Sequence, residues 1–372
     1  MSAAANISLW GSWASCFCHL SRSKPYVVGA NLMTLVDEYK NQKIKMTGDM
    51  DVSMLDLKRY AVSLGNFSGR KITDKGEKFY EYLLEMSLEE YMRKKMKYFK
   101  IGEDYKNAEA SIKNSISFFM GMIAAKAVAE KRYKVPLLYH LTDEILSCTT
   151  VGIQTTANVS SQAPPKSEKN FRPDFFGVNN KDEGFLFEAK GTVSKRSGNK
   201  TIEHAKEQIR NIGSVTLQKG TGNSKYDNSQ LKGYIVASSF DKNDHLTYHC
   251  IDPEPEGGKK IEIGWEKAMI LYYQNIMNFL TSNRTVPDDQ DSRFVVSEYG
   301  LDKIGVEKRI YETLEKYKGV YDGSQKLDDT VKRGNLTEDC EKISSYISER
   351  QDSTLAEEMS LGLDGIICRR NG

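Results

Sequence analysis

The sequence has no long apolar segment and no large excess of charge of either sign. Its most apolar run, from Ile116 to Val128, contains Lys126 and is shorter than the ~20 residues that a membrane-spanning helix needs. No basic segment precedes the N-terminal Trp10 and Trp13, so a secretory signal peptide is not expected. The formal net charge is +2, so a surface for a polyanion would require local clusters of basic residues. These absences favour a cytoplasmic protein.

Several common functional motifs are also missing. The six cysteines are scattered, and their only cluster, Cys16-Phe17-Cys18-His19, has no second ligand pair at zinc-finger spacing. Reduced thiols are therefore expected. We find no P-loop, dinucleotide fingerprint, nucleophile elbow or internal repeat. The lack of an ATP-binding motif indicates that ATP hydrolysis by this chain does not power its activity.

Two aromatic-rich segments flank one short polar turn. The segments Arg172–Gly177 and Gly184–Gly191 lie on either side of residues 179–183, a pattern that predicts a β-hairpin. Centring the hairpin on Lys181 places Asp174 opposite Glu188. A slip of one residue in this register would turn Asp174 to the other face.

This register brings together residues that suit metal-assisted phosphodiester hydrolysis. Directly opposed residues of a hairpin have Cβ atoms about 4.5–5.5 Å apart, so Asp174 and Glu188 could share a divalent cation. Lys190 follows Glu188 by two positions and projects to the same face of the strand. Its ammonium group could orient an attacking water or stabilise charge on a phosphate.

Pro173-Asp174 followed by Glu188-Ala189-Lys190 resembles the motif of the PD-(D/E)XK nuclease superfamily, which has the restriction-endonuclease-like fold. The resemblance covers the hairpin closely and residues 114–251 loosely. It implies that Asp174 and Glu188 hold Mg²⁺, for which Mn²⁺ can substitute, and that Lys190 assists the water.

The same resemblance implies two further site residues. Relatives can place a glutamine of the following helix near the site, as Gln208 would be. Members of the superfamily also often have an acidic residue on the helix before the first strand, and Glu130 is our candidate for this third metal ligand. Glu109 and Glu144 are the alternatives.

The length of 372 residues predicts two or three domains, with an α/β core. We divide the chain into a helical N-terminal region at 1–110, a nuclease core at 111–285 and a mostly helical C-terminal extension at 286–372. The core strands are expected near 135–141, 172–178, 184–190, 234–238 and 246–251, with a further strand at 152–159. The core helices are expected at 114–133, 201–212 and 265–280.

Other segments receive simpler predictions. Residues 31–39 and 52–64 are predicted to be helices, and the segment 70–84 resembles part of a winged helix, either for DNA binding or as a packing arm. Residues 220–229 are predicted to be a loop because they are rich in Gly, Asn and Ser.

Two basic clusters are candidates for contact with a phosphate backbone, and ordinary solvated surfaces are the alternative. The candidate residues are Lys195, Arg196 and Lys200 after the hairpin, and Arg93, Lys94, Lys95 and Lys97 in the N-terminal region.

The sequence thus predicts a Mg²⁺-dependent nuclease, with a DNA endonuclease of restriction or defence type as the first interpretation. One alternative is a catalytically inactive nucleic-acid-binding protein on the same fold, and another is a scaffold or interaction protein. The terminal extensions could join copies into a homodimer or a larger complex.

Overall fold

A computed structural model gives the fold of the larger part of the chain. The described residues are 31–38, 45–64, 99–142, 145–148, 172–192, 198–282, 286–287, 291–300, 302–321, 324–326, 335–350, 354–356 and 358–370. The predicted strand at 152–159, the segment at 70–84 and the Cys16–His19 cluster lie outside these residues.

The described residues form eight helices and seventeen strands. The helices are α1 (Met54–Val62), α2 (Glu103–Asn107), α3 (Ala110–Tyr133), α4 (Asn199–Arg210), α5 (Trp265–Ser282), α6 (Lys308–Glu315), α7 (Lys318–Tyr321) and α8 (Leu336–Ser348). The first ten strands are β1 (Asn31–Glu38), β2 (Lys45–Val52), β3 (Leu138–His140), β4 (Leu146–Cys148), β5 (Phe175–Val178), β6 (Gly184–Gly191), β7 (Ile212–Lys219), β8 (Gly222–Asp227), β9 (Leu231–Phe240) and β10 (Leu246–Ile251). The others are β11 (Lys259–Gly264), β12 (Val286–Pro287), β13 (Phe294–Tyr299), β14 (Asp302–Glu307), β15 (Thr354–Ala356), β16 (Met359–Leu361) and β17 (Ile366–Arg370).

These elements confirm the α/β class. The central sheet has seven strands in the order β2-β1-β10-β9-β6-β5-β3 and is mixed, because β6 pairs with β9 and β1 with β10 in parallel. All of the strands predicted for the core that lie within the described residues belong to this sheet. The three predicted core helices correspond to α3, α4 and α5.

The predicted hairpin and its register are confirmed for β5 and β6. Phe175 pairs with Phe187, and Gly177 pairs with Phe185. The turn is held by Asn179, whose Oδ1 accepts hydrogen bonds from the backbone N–H groups of Lys181 (2.9 Å) and Glu183 (3.0 Å). Because this side chain bonds to the backbone on the C-terminal side, it fixes where the chain reverses and therefore which residues are paired.

The two faces of β6 pack against different helices. Phe185, Phe187 and Ala189 are buried in the apolar cluster that contains much of α3, and each buried Phe contributes about 1.5–3 kcal/mol to stability. A Cβ at Gly191 would lie only 1.5 Å from the carbonyl oxygen of Ser117, so the contact between β6 and α3 requires glycine there. The opposite face, which carries Glu188 and Lys190, lies on the side of α4, whose Ala205 and Ile209 pack on β9.

The structure corrects two of the local predictions. Residues 31–38 form strand β1 rather than a helix, and they pair with both β2 and β10. Residues 222–227 are not a loop, because they form strand β8 and pair with β7 in a second sheet of order β4-β11-β7-β8. The sequence analysis had no strand at 212–219, where β7 lies.

The C-terminal region also differs from its predicted character. Instead of being mostly helical, it contributes a six-stranded sheet of order β12-β13-β14-β17-β16-β15, together with α6, α7 and α8. Its apolar residues, such as Val306, Ile343 and Ile366, belong to the same buried cluster as Tyr273 of α5 and Phe176 of the hairpin. The C-terminal region therefore packs on the central sheet through α5.

Candidate active site

The base of the β5–β6 hairpin brings Asp174 and Glu188 together. The backbone N–H of Asp174 donates to Oε2 of Glu188 at 3.0 Å, and the backbone N–H of Ala189 donates to Oδ2 of Asp174 at 2.8 Å. These reciprocal bonds hold each carboxylate against the opposite strand. The predicted opposition of the two residues is therefore present in the structure.

Burial and mutual repulsion disfavour charge on this pair. Burial first, and the neighbouring Asp174 second, raise the pKa of Glu188 from its ordinary value of about 4.5 to about 8. Burial also raises the pKa of Asp174, although the bond from Ala189 and the charge of Lys190 oppose this shift. Two carboxylates that ionise with difficulty in the metal-free protein would be stabilised by a cation bound between them.

Lys190 lies beside the pair, as its spacing from Glu188 predicts. Its Nζ contacts Oε1 of Glu188, while Oε2 of the same carboxylate accepts the Asp174 N–H. The Lys190 side chain is 21% exposed and that of Glu188 is 1% exposed. The lysine thus connects the buried carboxylate to solvent and to any molecule that enters from outside.

These residues open into a polar cleft of about 550 Å³. The other residues that line it are His140, Leu141, Thr142, Arg172, Pro173, His204 and Gln208. A cleft of this size is within the range of about 300–1,000 Å³ that is common for ligand sites.

Gln208 projects from α4 into this cleft, where the sequence resemblance placed it. Its Nε2 donates to the backbone carbonyl of Arg172 at 2.8 Å. Its Oε1 is buried and has no hydrogen-bond partner among the residues that the structure describes. A buried amide oxygen without a partner is costly in the free protein and is available to a ligand that donates a hydrogen bond or to a cation.

The sequence analysis missed three side chains of the cleft. Burial first, and Arg172 second, lower the pKa of His140 to about 4, so this imidazole is neutral at physiological pH. Arg172 directly precedes the Pro173-Asp174 pair and could have been found from that position. His204 lies one helical turn before Gln208, so the i,i+4 spacing could have indicated it. His140 had no such signal, because only the pairing of β3 with β5 brings it here.

Glu130 does not line this cleft, and its prediction as the third metal ligand is corrected. Oε1 and Oε2 of Glu130 accept hydrogen bonds from the Arg59 guanidinium at 2.6 and 2.8 Å, and Oε1 also accepts one from the Tyr60 hydroxyl at 3.1 Å. Although burial opposes it, the charge of Arg59 helps to lower the pKa of Glu130 to about 2. Glu130 is thus the fully buried ion-pair partner of Arg59. Glu109 is exposed at the start of α3, and Glu144 lies outside the described residues.

The predicted phosphate-contacting residues are described only in part. Lys200 is exposed in the first turn of α4. The remaining members, Lys195, Arg196, Arg93, Lys94, Lys95 and Lys97, lie outside the described residues.

Asp174 and Glu188 are a donor set that suits Mg²⁺, which takes oxygen ligands and is commonly held by one or two carboxylates, with waters and substrate phosphates completing its shell. Within the described ranges, no group of three or more His, Cys, Asp and Glu residues is arranged to hold a metal ion. A cation at this pair would therefore depend on the two carboxylates and on neutral oxygens.

Comparisons with known proteins found no matching protein-family model, no matching curated protein and no matching solved structure. Among the described residues, no helix is long and apolar enough to cross a membrane.

Proposed function

We propose that this protein is a Mg²⁺-dependent nuclease that hydrolyses phosphodiester bonds at the cleft around Asp174, Glu188 and Lys190. The observation that carries the proposal is the opposition of two buried carboxylates across one hairpin, with a lysine contacting one of them. The sequence resemblance to the PD-(D/E)XK superfamily favours DNA as the substrate and a role in restriction or defence. The restriction-endonuclease-like core is part of this proposal.

Each side chain has a separate task in this mechanism. Asp174 and Glu188 would hold Mg²⁺, and Mn²⁺ could replace it. The bound cation would supply Lewis acidity, which polarises a phosphoryl oxygen and makes a water more acidic. Lys190 would stabilise negative charge that grows on the phosphate, and the buried Oε1 of Gln208 would accept a hydrogen bond from the substrate or from a water.

Arg172 and Lys200 would position the nucleic acid. Arg172 lines the cleft next to Asp174, and Lys200 is exposed at the beginning of the helix that also carries Gln208. A guanidinium can bind a phosphate with two parallel hydrogen bonds, whereas an exposed lysine acts as a point charge toward the backbone.

A nucleic-acid-binding protein without cleavage is the second candidate. It is favoured by one observation, which is that Glu130 is engaged by Arg59 and leaves the cleft with only two carboxylates among the described residues. Such a protein would bind nucleic acid through the same cleft and would not turn it over.

Cleavage assays distinguish these two candidates. Purified protein is incubated with linear and circular duplex DNA, single-stranded DNA and RNA in the presence of Mg²⁺, Mn²⁺ or EDTA. The nuclease predicts cleavage with either metal, none with EDTA, and none from Asp174→Asn under any condition. Binding without cleavage, equally strong in EDTA, would support the second candidate and contradict the first.

A further inference from the structure

A second cavity lies at the other end of the hairpin from Asp174 and Glu188. It has a volume of about 230 Å³ and is bounded by the hairpin turn, the β7–β8 hairpin, α5 and α8. None of its lining residues lines the candidate active site. The two cavities are therefore separate sites on the same pair of strands.

The interior of this cavity is apolar and aromatic. Tyr139 and Trp265 are 5% exposed, and Met269 and Leu217 are buried beside them. Apolar and aromatic walls with a few polar groups are typical of sites for small organic molecules.

Three basic side chains line the cavity, and they outnumber the acidic ones. The cations are Lys134, Lys219 and Arg350, and the single carboxylate is that of Asp182. Oδ1 of Asp182 is already engaged, since it accepts a hydrogen bond from the Tyr226 hydroxyl at 2.8 Å. The wall therefore has excess positive charge next to aromatic rings.

Two of these cations have unused capacity to bind. Nζ of Lys219 lies 5.1 Å from the centre of the Trp265 ring, and no carboxylate of the described residues pairs with it. Arg350 pairs with Glu307, but its Nε is buried without a hydrogen-bond acceptor in the described part of the chain. An anion would give both groups a partner without displacing any ion pair of Lys219.

The backbone around the cavity is also unusual. Lys134 has φ 56° and Asp182 has φ 58°, and they are two of the three non-glycine residues with positive φ in the described ranges. Such conformations are uncommon outside glycine and cluster at ligand-binding sites.

We propose that this cavity binds a small aromatic anion, with a planar ring against Trp265 and Tyr139 and an anionic group at Lys219 and Arg350. An apolar cavity of about 150 Å³ accepts one benzene molecule, so 230 Å³ can hold a ring and part of an anionic substituent. A mononucleotide and an aromatic carboxylic acid share this chemistry. Because no residue is shared with the cleft, the proposal does not depend on nuclease activity.

The experiment is isothermal titration calorimetry of the full chain with four probes. AMP and indole-3-carboxylate represent the two sources, and adenosine and inorganic phosphate are the uncharged and ring-free comparisons. We expect one of the two aromatic anions to bind at least tenfold more tightly than both comparisons. The one that binds identifies the source.

Two pairs of variants locate the binding. Lys219→Glu is expected to weaken binding at least tenfold, whereas Lys225→Glu, an exposed change on the same β-hairpin, should leave it unchanged. Ser344→Trp places a large ring at the exposed mouth of the cavity and should abolish binding. Ser345→Trp, on the same helix but not lining the cavity, is its control.

Three results would overturn the proposal. The first is that neither aromatic anion binds at millimolar concentration. The second is that adenosine binds as tightly as AMP and indole-3-carboxylate does not bind, which would remove the role of the cations. The third is binding that survives Ser344→Trp and is lost in Lys190→Ala, which would assign the ligand to the cleft.

Discussion

The raised pKa of Glu188 predicts how metal affinity and stability change with pH. In the folded, metal-free protein this carboxyl titrates at about 8, while an ordinary glutamate titrates at about 4.5. Between these values the folded state binds more protons than the unfolded state, so the free energy of unfolding falls as the pH rises from 4.5 to 8. The shift corresponds to an energy on the order of a few kcal/mol.

Metal binding requires the ionised carboxylate, so protons compete with the cation. With a pKa of about 8, this competition weakens the apparent affinity about 100-fold at pH 6 and about twofold at pH 8. Mn²⁺ affinity should therefore rise about 50-fold over this range. Glu188→Gln cannot ionise, so it should bind Mn²⁺ weakly and with little dependence on pH.

The assay combines calorimetry with urea unfolding at intervals from pH 5 to pH 8.5. In the absence of metal, the stability of wild type relative to Glu188→Gln should fall across this range, and saturating Mn²⁺ should reverse the fall. His140 is neutral throughout because its pKa is about 4, and His204→Gln is the control for the other imidazole of the cleft. If wild type and Glu188→Gln show the same pH dependence, the reasoning about this carboxylate is refuted.

Three further predictions concern cleavage and binding. Asp174→Ala should fold and bind nucleic acid but lose all cleavage, since only one of the two carboxylates would remain to hold the cation; cutting at the wild-type rate would exclude this site. Lys190→Ala should lower the single-turnover rate about 10²–10³-fold, as removal of a charge-stabilising group does, with little change in Mn²⁺ affinity by calorimetry. Arginine should replace this lysine poorly because it is larger and planar, and full recovery of Lys190→Ala at high Mg²⁺ would contradict a role in the chemical step. Neutralising Lys195, Arg196 and Lys200 together should reduce the slope of log affinity against log salt by about 0.9 for each phosphate of duplex DNA that the protein no longer neutralises, and an unchanged slope and affinity would show that these residues do not face the backbone.

The hairpin could be predicted from the sequence because its register is determined locally. The Asn179 side chain fixes the turn, and aromatic residues on both strands have a buried face to fill, so the pairing of Phe175 with Phe187 follows. Asp174 and Glu188 are then opposed without any information from the rest of the chain. Other elements depend on distant partners.

Strands β1 and β8 show why local patterns mislead elsewhere. The apolar residues of Asn31–Glu38 fit a helical pattern as well as a strand, and the parallel pairing with β10 decides between them. Gly222–Asp227 has the composition of a loop, and of its side chains only that of Tyr226 is buried, yet β7 supplies a full set of backbone partners.

The assignment of Glu130 failed for a similar reason. Its position near the end of α3 could be predicted from the sequence, but the approach of Arg59 from α1 could not, because that contact spans 71 residues. A buried carboxylate that pairs with a guanidinium satisfies a structural need and leaves no oxygen for a metal. His140 was missed for the converse reason, since an edge strand delivers it to the cleft.

The joint binding of one cation by Asp174 and Glu188 is the central claim, and anomalous scattering from Mn²⁺ tests it most directly. Crystals of the full chain would be grown near pH 8, where Glu188 is able to ionise, and soaked in Mn²⁺. The account predicts one strong peak within about 2.0–2.3 Å of an oxygen of each carboxylate. A peak bound by other residues, or by one of these carboxylates alone, would contradict it.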